Sequence, residues 1–155
     1  MLLAGHAYNT GDPAYYNNTL IGNCDFSIQG GSVDAAFISI TNFSIVPNNG
    51  NLTGEEYNIW AGDNVTKLGE TIAQSEGYIT STNANVNADG IYYTDMGEAT
   101  YLSAFGDSGG PVYLTDSKKV IGIHKGSTAF TSIFVKVDNI ASKLNAHSTN
   151  ITNDW

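Results

Sequence analysis

Arginine is absent from this sequence, cysteine occurs once and proline three times. With no arginine, six lysines stand against fifteen acidic residues and the formal net charge is −9. Such a surface repels nucleic acid and anionic lipid, so no nucleic-acid partner is expected. The single cysteine, Cys24, has no internal partner. No disulfide constrains the loops, and the thiol reads as a small buried hydrophobe. No apolar run approaches the roughly 18 residues a membrane-spanning helix needs. Nor is there a spaced set of acidic ligands, a phosphate loop or a nucleotide motif, so neither metal nor cofactor is expected.

What is present describes a folded chain of short strands. Hydrophobic residues make up 41% of the 155 and charged ones 14%, which is ordinary for a packed domain and excludes disorder. Seventeen glycines among many Asn, Ser and Thr punctuate the chain as turns do, the all-β pattern. Period-two alternation predicts strands at 36–40, 57–60, 111–114, 120–123 and 132–137. One helix is predicted late, capped by Asp138, with Ile140, Ala141 and Leu144 on a shared face. Polar loops are predicted at Tyr8–Ser32, Asn48–Gly54 and Asn83–Gly90, and the end from Asn145 to Trp155 reads as a polar tail.

The run Phe105-Gly106-Asp107-Ser108-Gly109-Gly110-Pro111-Val112 sets a serine between a glycine turn and the start of an apolar strand. A glycine at 106 permits a backbone closed to other residues, through which the amides of Gly106 and Ser108 can converge on a developing negative charge. A serine hydroxyl attacks poorly unless a base takes its proton, so Ser108 calls for a histidine and a carboxylate to orient it. Histidines occur only at 6, 124 and 147, and His6 closes the apolar run Met1-Leu2-Leu3-Ala4-Gly5. A histidine there is more often structural than catalytic; Ser108 is what tips the balance. An α/β-hydrolase elbow is excluded, because Gly109-Gly110-Pro111 cannot open a long helix.

Leu3-Ala4-Gly5-His6 and the turn at Gly106–Val112 resemble the "TAGH" and "GDSGGPV" motifs of chymotrypsin-fold serine proteases, particularly the bacterial secreted, streptogrisin-like and glutamyl endopeptidase-like branch. Val33-Asp34-Ala35-Ala36-Phe37 looks like the aspartate strand, and the order His, Asp, Ser is the family's. The resemblance implies an all-β protein of two packed antiparallel β-barrels, residues 1–75 forming the first and 76–145 the second with a short C-terminal helix, and 146–155 a tail. Opening strands of the first barrel precede this point in the family, so that barrel is expected to be incomplete. Implied roles are nucleophile for Ser108, base for His6, orienting carboxylate for Asp34 and oxyanion donors for the amides of Gly106 and Ser108. With an ordinary imidazole pKa near 6.5, hydrolysis should fall in acid as His6 protonates. Leu102, Ser103, His124 and Ser127 are the implied substrate pocket, the stretch around His124 resembling the "IGIH" strand of glutamyl endopeptidases. An acidic or an apolar side chain could fill it, with Lys125 a possible helper in the acidic case.

The implied partners are protein or peptide substrates of a monomer. Sequons beginning at Asn17, Asn42, Asn51, Asn64 and Asn150 agree with an exported chain. Three departures from the family stand out. Glu70 replaces the arginine that neutralises the aspartate before the nucleophile, which leaves Lys67 or the amino terminus to pair with Asp107. The family's disulfides are absent. Lys125 stands where many relatives carry a small residue. Glu70 and the missing opening strands keep a catalytically inactive binding module on the same fold as the alternative to an endopeptidase.

Overall fold

The computed structural model describes residues 1–44 and 52–147, so the sequons at Asn51 and Asn150 and most of the predicted tail lie outside the described residues. Among the described residues ten strands precede one helix: β1 Leu2–Leu3, β2 Pro13–Tyr16, β3 Thr19–Gly30, β4 Val33–Ile40, β5 Asn64–Leu68, β6 Gln74–Ala88, β7 Ile91–Ala99, β8 Pro111–Leu114, β9 Val120–Ser127, β10 Ser132–Lys136 and α1 Val137–His147. Strands β1, β4, β3 and β2, in that spatial order, make an open four-stranded sheet, while β10-β7-β6-β5-β8-β9 close a barrel. All pairings between strands are antiparallel. The all-β class, the incomplete first barrel and the late helix stand as expected.

Three packed layers hold these sheets. Ala14, Ile21, Cys24, Ala36 and Ile38 fill the open sheet's own core, and Cys24 is buried there as expected. Val65, Ile79, Ala99, Tyr101, Val112, Ile121 and Phe134 fill the barrel. Between them, Val33 and Ala35 of β4 pack with Tyr93, Met96, Ile123, Ile133, Val135, Ile140 and Leu144. That middle layer brings the sheet carrying His6 and Asp34 against the barrel carrying Ser108. Ile140 and Leu144 dock α1 there, but Asp138 lies inside the first turn rather than ahead of it as a cap, its carboxylate accepting the Asn139 amide at 2.9 Å.

Several expectations are corrected. Tyr8–Ser32 is not a loop: β2 and β3 pair as a hairpin through it, and β3 runs for twelve residues. Asn83–Gly90 is the far end of a second hairpin, since β6 continues to Ala88 and pairs with β7. Both strands do alternate, with Cys24, Phe26 and Ile28 in β3 and Ala84, Val86 and Ala88 in β6 packed inward, but the Asn, Asp and Ser between them read as turn residues. Tyr57–Trp60 is not a strand; it runs into a β-turn in which the Asp63 amide donates to the Trp60 carbonyl at 3.1 Å and the Trp60 amide to the Asp63 carboxylate at 2.8 Å. The expected boundary at residue 75 also moves. β5 lies between β6 and β8 in the closed barrel, so the chain leaves the open sheet before Asn64.

Candidate active site

His6 sits in a single 3₁₀ turn, Gly5–Ala7, laid on β3 and β4. The approach is close enough that a Cβ on Gly5 would lie 2.3 Å from the Ile28 carbonyl and 2.8 Å from Asp34 Oδ1. Ser27 Oγ donates to the Gly5 carbonyl at 2.9 Å and Gln29 Nε2 at 3.4 Å. Asp34, fully buried on β4, then grips His6 twice: Oδ1 accepts the His6 backbone amide at 2.7 Å, and Oδ2 lies 2.7 Å from Nδ1. About a third of the His6 side chain, 32%, remains exposed. Burial alone would raise the Asp34 carboxyl, but hydrogen bonds from His6 and Lys125 outweigh it and hold it below the usual carboxylate range.

Ser108 lies in the turn between β7 and β8, where Gly106 has φ +98°. Gly109 abuts the backbone of Leu3 and Ala4, which seats this turn against the His6 segment. The amides of Gly106 and Ser108 donate to no protein acceptor among the described residues, whereas those of Asp107, Gly109 and Gly110 are all spent within or beside the turn. Unspent N–H donors are what an oxyanion needs. The Ser108 hydroxyl donates to the Lys125 carbonyl at 3.1 Å, and no Ser108–His6 hydrogen bond is formed.

Asp107, the buried neighbour of Ser108, is neutralised by Lys67. The ammonium reaches Oδ2 at 2.6 Å with both side chains fully buried, and the Ala104, Thr71 and Ile72 amides complete the shell at 2.9, 2.8 and 3.0 Å. Burial opposes ionisation, yet Lys67 and these amides drive the carboxyl well below its ordinary range. Of the two candidates for this counter-charge, Lys67 takes the role; the amino terminus bonds instead to the Ile38 carbonyl at 2.7 Å, and Glu70 is exposed.

The expected pocket residues divide. His124 is buried on β9 with Nδ1 3.0 Å from the Tyr101 hydroxyl, and burial lowers its pKa to about 4. Tyr101 was missed from sequence, since nothing sets it apart from eight other tyrosines. Ser103 Oγ pairs with Ser132 Oγ at 2.9 Å, and Ser132 bonds the Tyr101 carbonyl at 2.8 Å. Leu102 is 70% exposed and Ser127 lies exposed near the end of β9. Lys125 does not assist His124: its ammonium is committed to Asp34 Oδ2 at 2.9 Å.

No protein-family model and no curated protein matches the sequence. Solved structures do. Protease A of Thermobifida fusca aligns over 93% of this chain and 81% of its own, at 26% identity and a TM-score of 0.77. A Nocardiopsis protease aligns over 93% and 81%, at 21% identity and a TM-score of 0.80. A glutamic acid-specific serine protease that uses a histidine triad in substrate binding aligns over 93% and 83%, at 23% identity and a TM-score of 0.78.

Proposed function

We propose that this chain, which has the chymotrypsin fold of bacterial serine proteases with its first sheet open, is a serine endopeptidase acting through Ser108, His6 and Asp34. The observation that carries this reading is the fully buried Asp34 carboxylate, bonded to both the backbone and the ring of His6. That pairing keeps the ring proton on Nδ1 and leaves the Nε2 lone pair free to act as base.

In the proposed reaction Ser108 Oγ turns from the Lys125 carbonyl to Nε2 and attacks the peptide carbonyl as His6 takes its proton. The amides of Gly106 and Ser108 receive the oxyanion, each worth about 3 kcal/mol in comparable sites. His6 returns the proton to the leaving amine as the C–N bond breaks. Water, deprotonated by the same ring, then cleaves the acyl ester and restores Ser108.

His124 supports a preference for an acidic side chain before the scissile bond. Tyr101 is kept un-ionised, its pKa raised by burial and by the charge of Asp107. Its hydroxyl can therefore donate to His124 Nδ1, leaving the ring proton on Nε2 for a substrate carboxylate. The similar glutamic acid-specific structure also uses histidine in substrate binding. Matched peptides should be cut faster after Glu than after Leu or Phe; equal rates would remove the acidic pocket. An exported enzyme fits the exposed sequons at Asn17 and Asn64.

The parked hydroxyl of Ser108 favours the second reading, a binding module with an inactive site. A fluorophosphonate probe separates the two. Labelling at Ser108 that disappears in Ser108→Ala and falls at least a hundredfold in His6→Ala supports the peptidase, and a folded protein that takes no label supports the module.

A further inference from the structure

Lys125 contacts all three members of the proposed triad. Its carbonyl accepts the Ser108 hydroxyl at 3.1 Å, its ammonium donates to Asp34 Oδ2 at 2.9 Å, and the same nitrogen lies 3.3 Å from His6 Nδ1. The side chain is 8% exposed and its charge rests 5.0 Å over the Tyr93 ring. Placing a long cation here costs desolvation, which Asp34 and the ring face offset.

Oδ2 of Asp34 therefore faces two cation-capable groups at once. A carboxylate that serves only a histidine stabilises the imidazolium. Here an ammonium stands on the same oxygen, cancels much of that field and adds its own repulsion at Nδ1. Other groups around His6 do not reverse this. His124 of β9 is uncharged near neutral pH, its pKa lowered to about 4 by burial. Tyr93 of β7 is un-ionised, pushed up to about 12 by burial and by Asp34. Asp89 acts on Tyr93 from farther off. From β3 the turn meets only neutral groups, Ser27 and Gln29.

We propose that Lys125 is a positioning residue that opposes protonation of His6, so that the base stays neutral, and the site competent, to lower pH than a His–Asp pair alone would allow. Its consequence for catalysis rests on the peptidase reading; the charge coupling does not. The cost is a weaker base, because the imidazolium formed during attack is disfavoured by the same charge.

The test is the NMR titration of the His6 ring in the full chain, paired with the pH dependence of Ser108 labelling by a fluorophosphonate. Replacing Lys125 by Met keeps the length and removes the charge; Lys125→Arg keeps the charge. In Lys125→Met the His6 midpoint should rise by about one pH unit or more, the size expected of a charge this close. The acid limb of labelling should rise with it, and Lys125→Arg should restore the parent value. A midpoint that stays put in folded Lys125→Met overturns the inference. A second readout needs no variant: the ¹⁵N shift of Lys125 Nζ in the parent chain should move as His6 titrates, and an unmoved shift overturns the coupling. A reactive Ser108 with an unmoved midpoint would leave the peptidase reading standing without Lys125. A shifted midpoint with no labelling at any pH would keep the coupling and remove the peptidase.

Discussion

Lys67 and Asp107 are each fully buried, so neither charge is tolerable without the other. Lys67→Met should destabilise the fold by about 3–5 kcal/mol, the range for stripping one partner from a buried pair. It should also abolish Ser108 labelling, because the aspartate that shapes the turn would be left uncompensated. Chemical denaturation at neutral pH and probe reactivity on the folded fraction measure the two effects. His124 makes a different demand. Its folded pKa of about 4 lies below the unfolded value of 6.5, so the unfolded chain binds more protons in between. Stability is therefore full above about 6.5 and is lost as pH falls towards 4, by on the order of 3 kcal/mol. Urea midpoints across that window should decline in the parent chain and lie flatter in His124→Gln; an equal decline in both would assign the effect elsewhere. Asp34 and Asp107, with depressed pKa values, add their own loss only in stronger acid.

Elements place the reactive groups by close approach. The 3₁₀ turn at Gly5–Ala7 holds His6 because Gly5 has no side chain where Ile28 and Asp34 press in. Gly5→Ala should therefore leave the six-stranded barrel intact by circular dichroism yet cut Ser108 labelling by at least about tenfold, since small misplacements at a reacting centre are costly. Unchanged labelling would mean the turn can shift without moving His6. At this scale the sequence was legible where consecutive strand residues are buried, as in β4, β9 and β10, and at α1 through Ile140 and Leu144. It was illegible in β3 and β6, long strands with extensive exposed faces. Their alternating apolar residues, Cys24, Phe26 and Ile28 in one and Ala84, Val86 and Ala88 in the other, are separated by polar residues that favour turns as readily as exposed strand faces.

At the scale of the whole molecule, the open sheet and the closed barrel meet through one apolar layer, with Met96 fully buried in it. Met96→Ala should cost about 2–5 kcal/mol, as for other large-to-small core changes. Because His6 and Asp34 ride on one side and Ser108 and Lys125 on the other, labelling should fall at denaturant concentrations that leave the barrel's signal unchanged. Coincident loss of both signals would show that sheet and barrel unfold as one unit.

Local chemistry is written in the residues themselves. A glycine turn before Ser108, a histidine closing an apolar run, the acidic surface and the alternating strands all follow from neighbours along the chain; they were enough for the all-β class, and the family resemblance of the first two implied the two-barrel fold. Charge compensation is another matter. That Lys67 rather than the amino terminus neutralises Asp107, and that Lys125 shares Asp34 with His6 instead of serving the pocket, depends on separations of 2.6 and 2.9 Å between residues 40 and 91 positions apart. Electrostatic energy in a buried site varies with distance and desolvation, and neither exists until the sheets have packed.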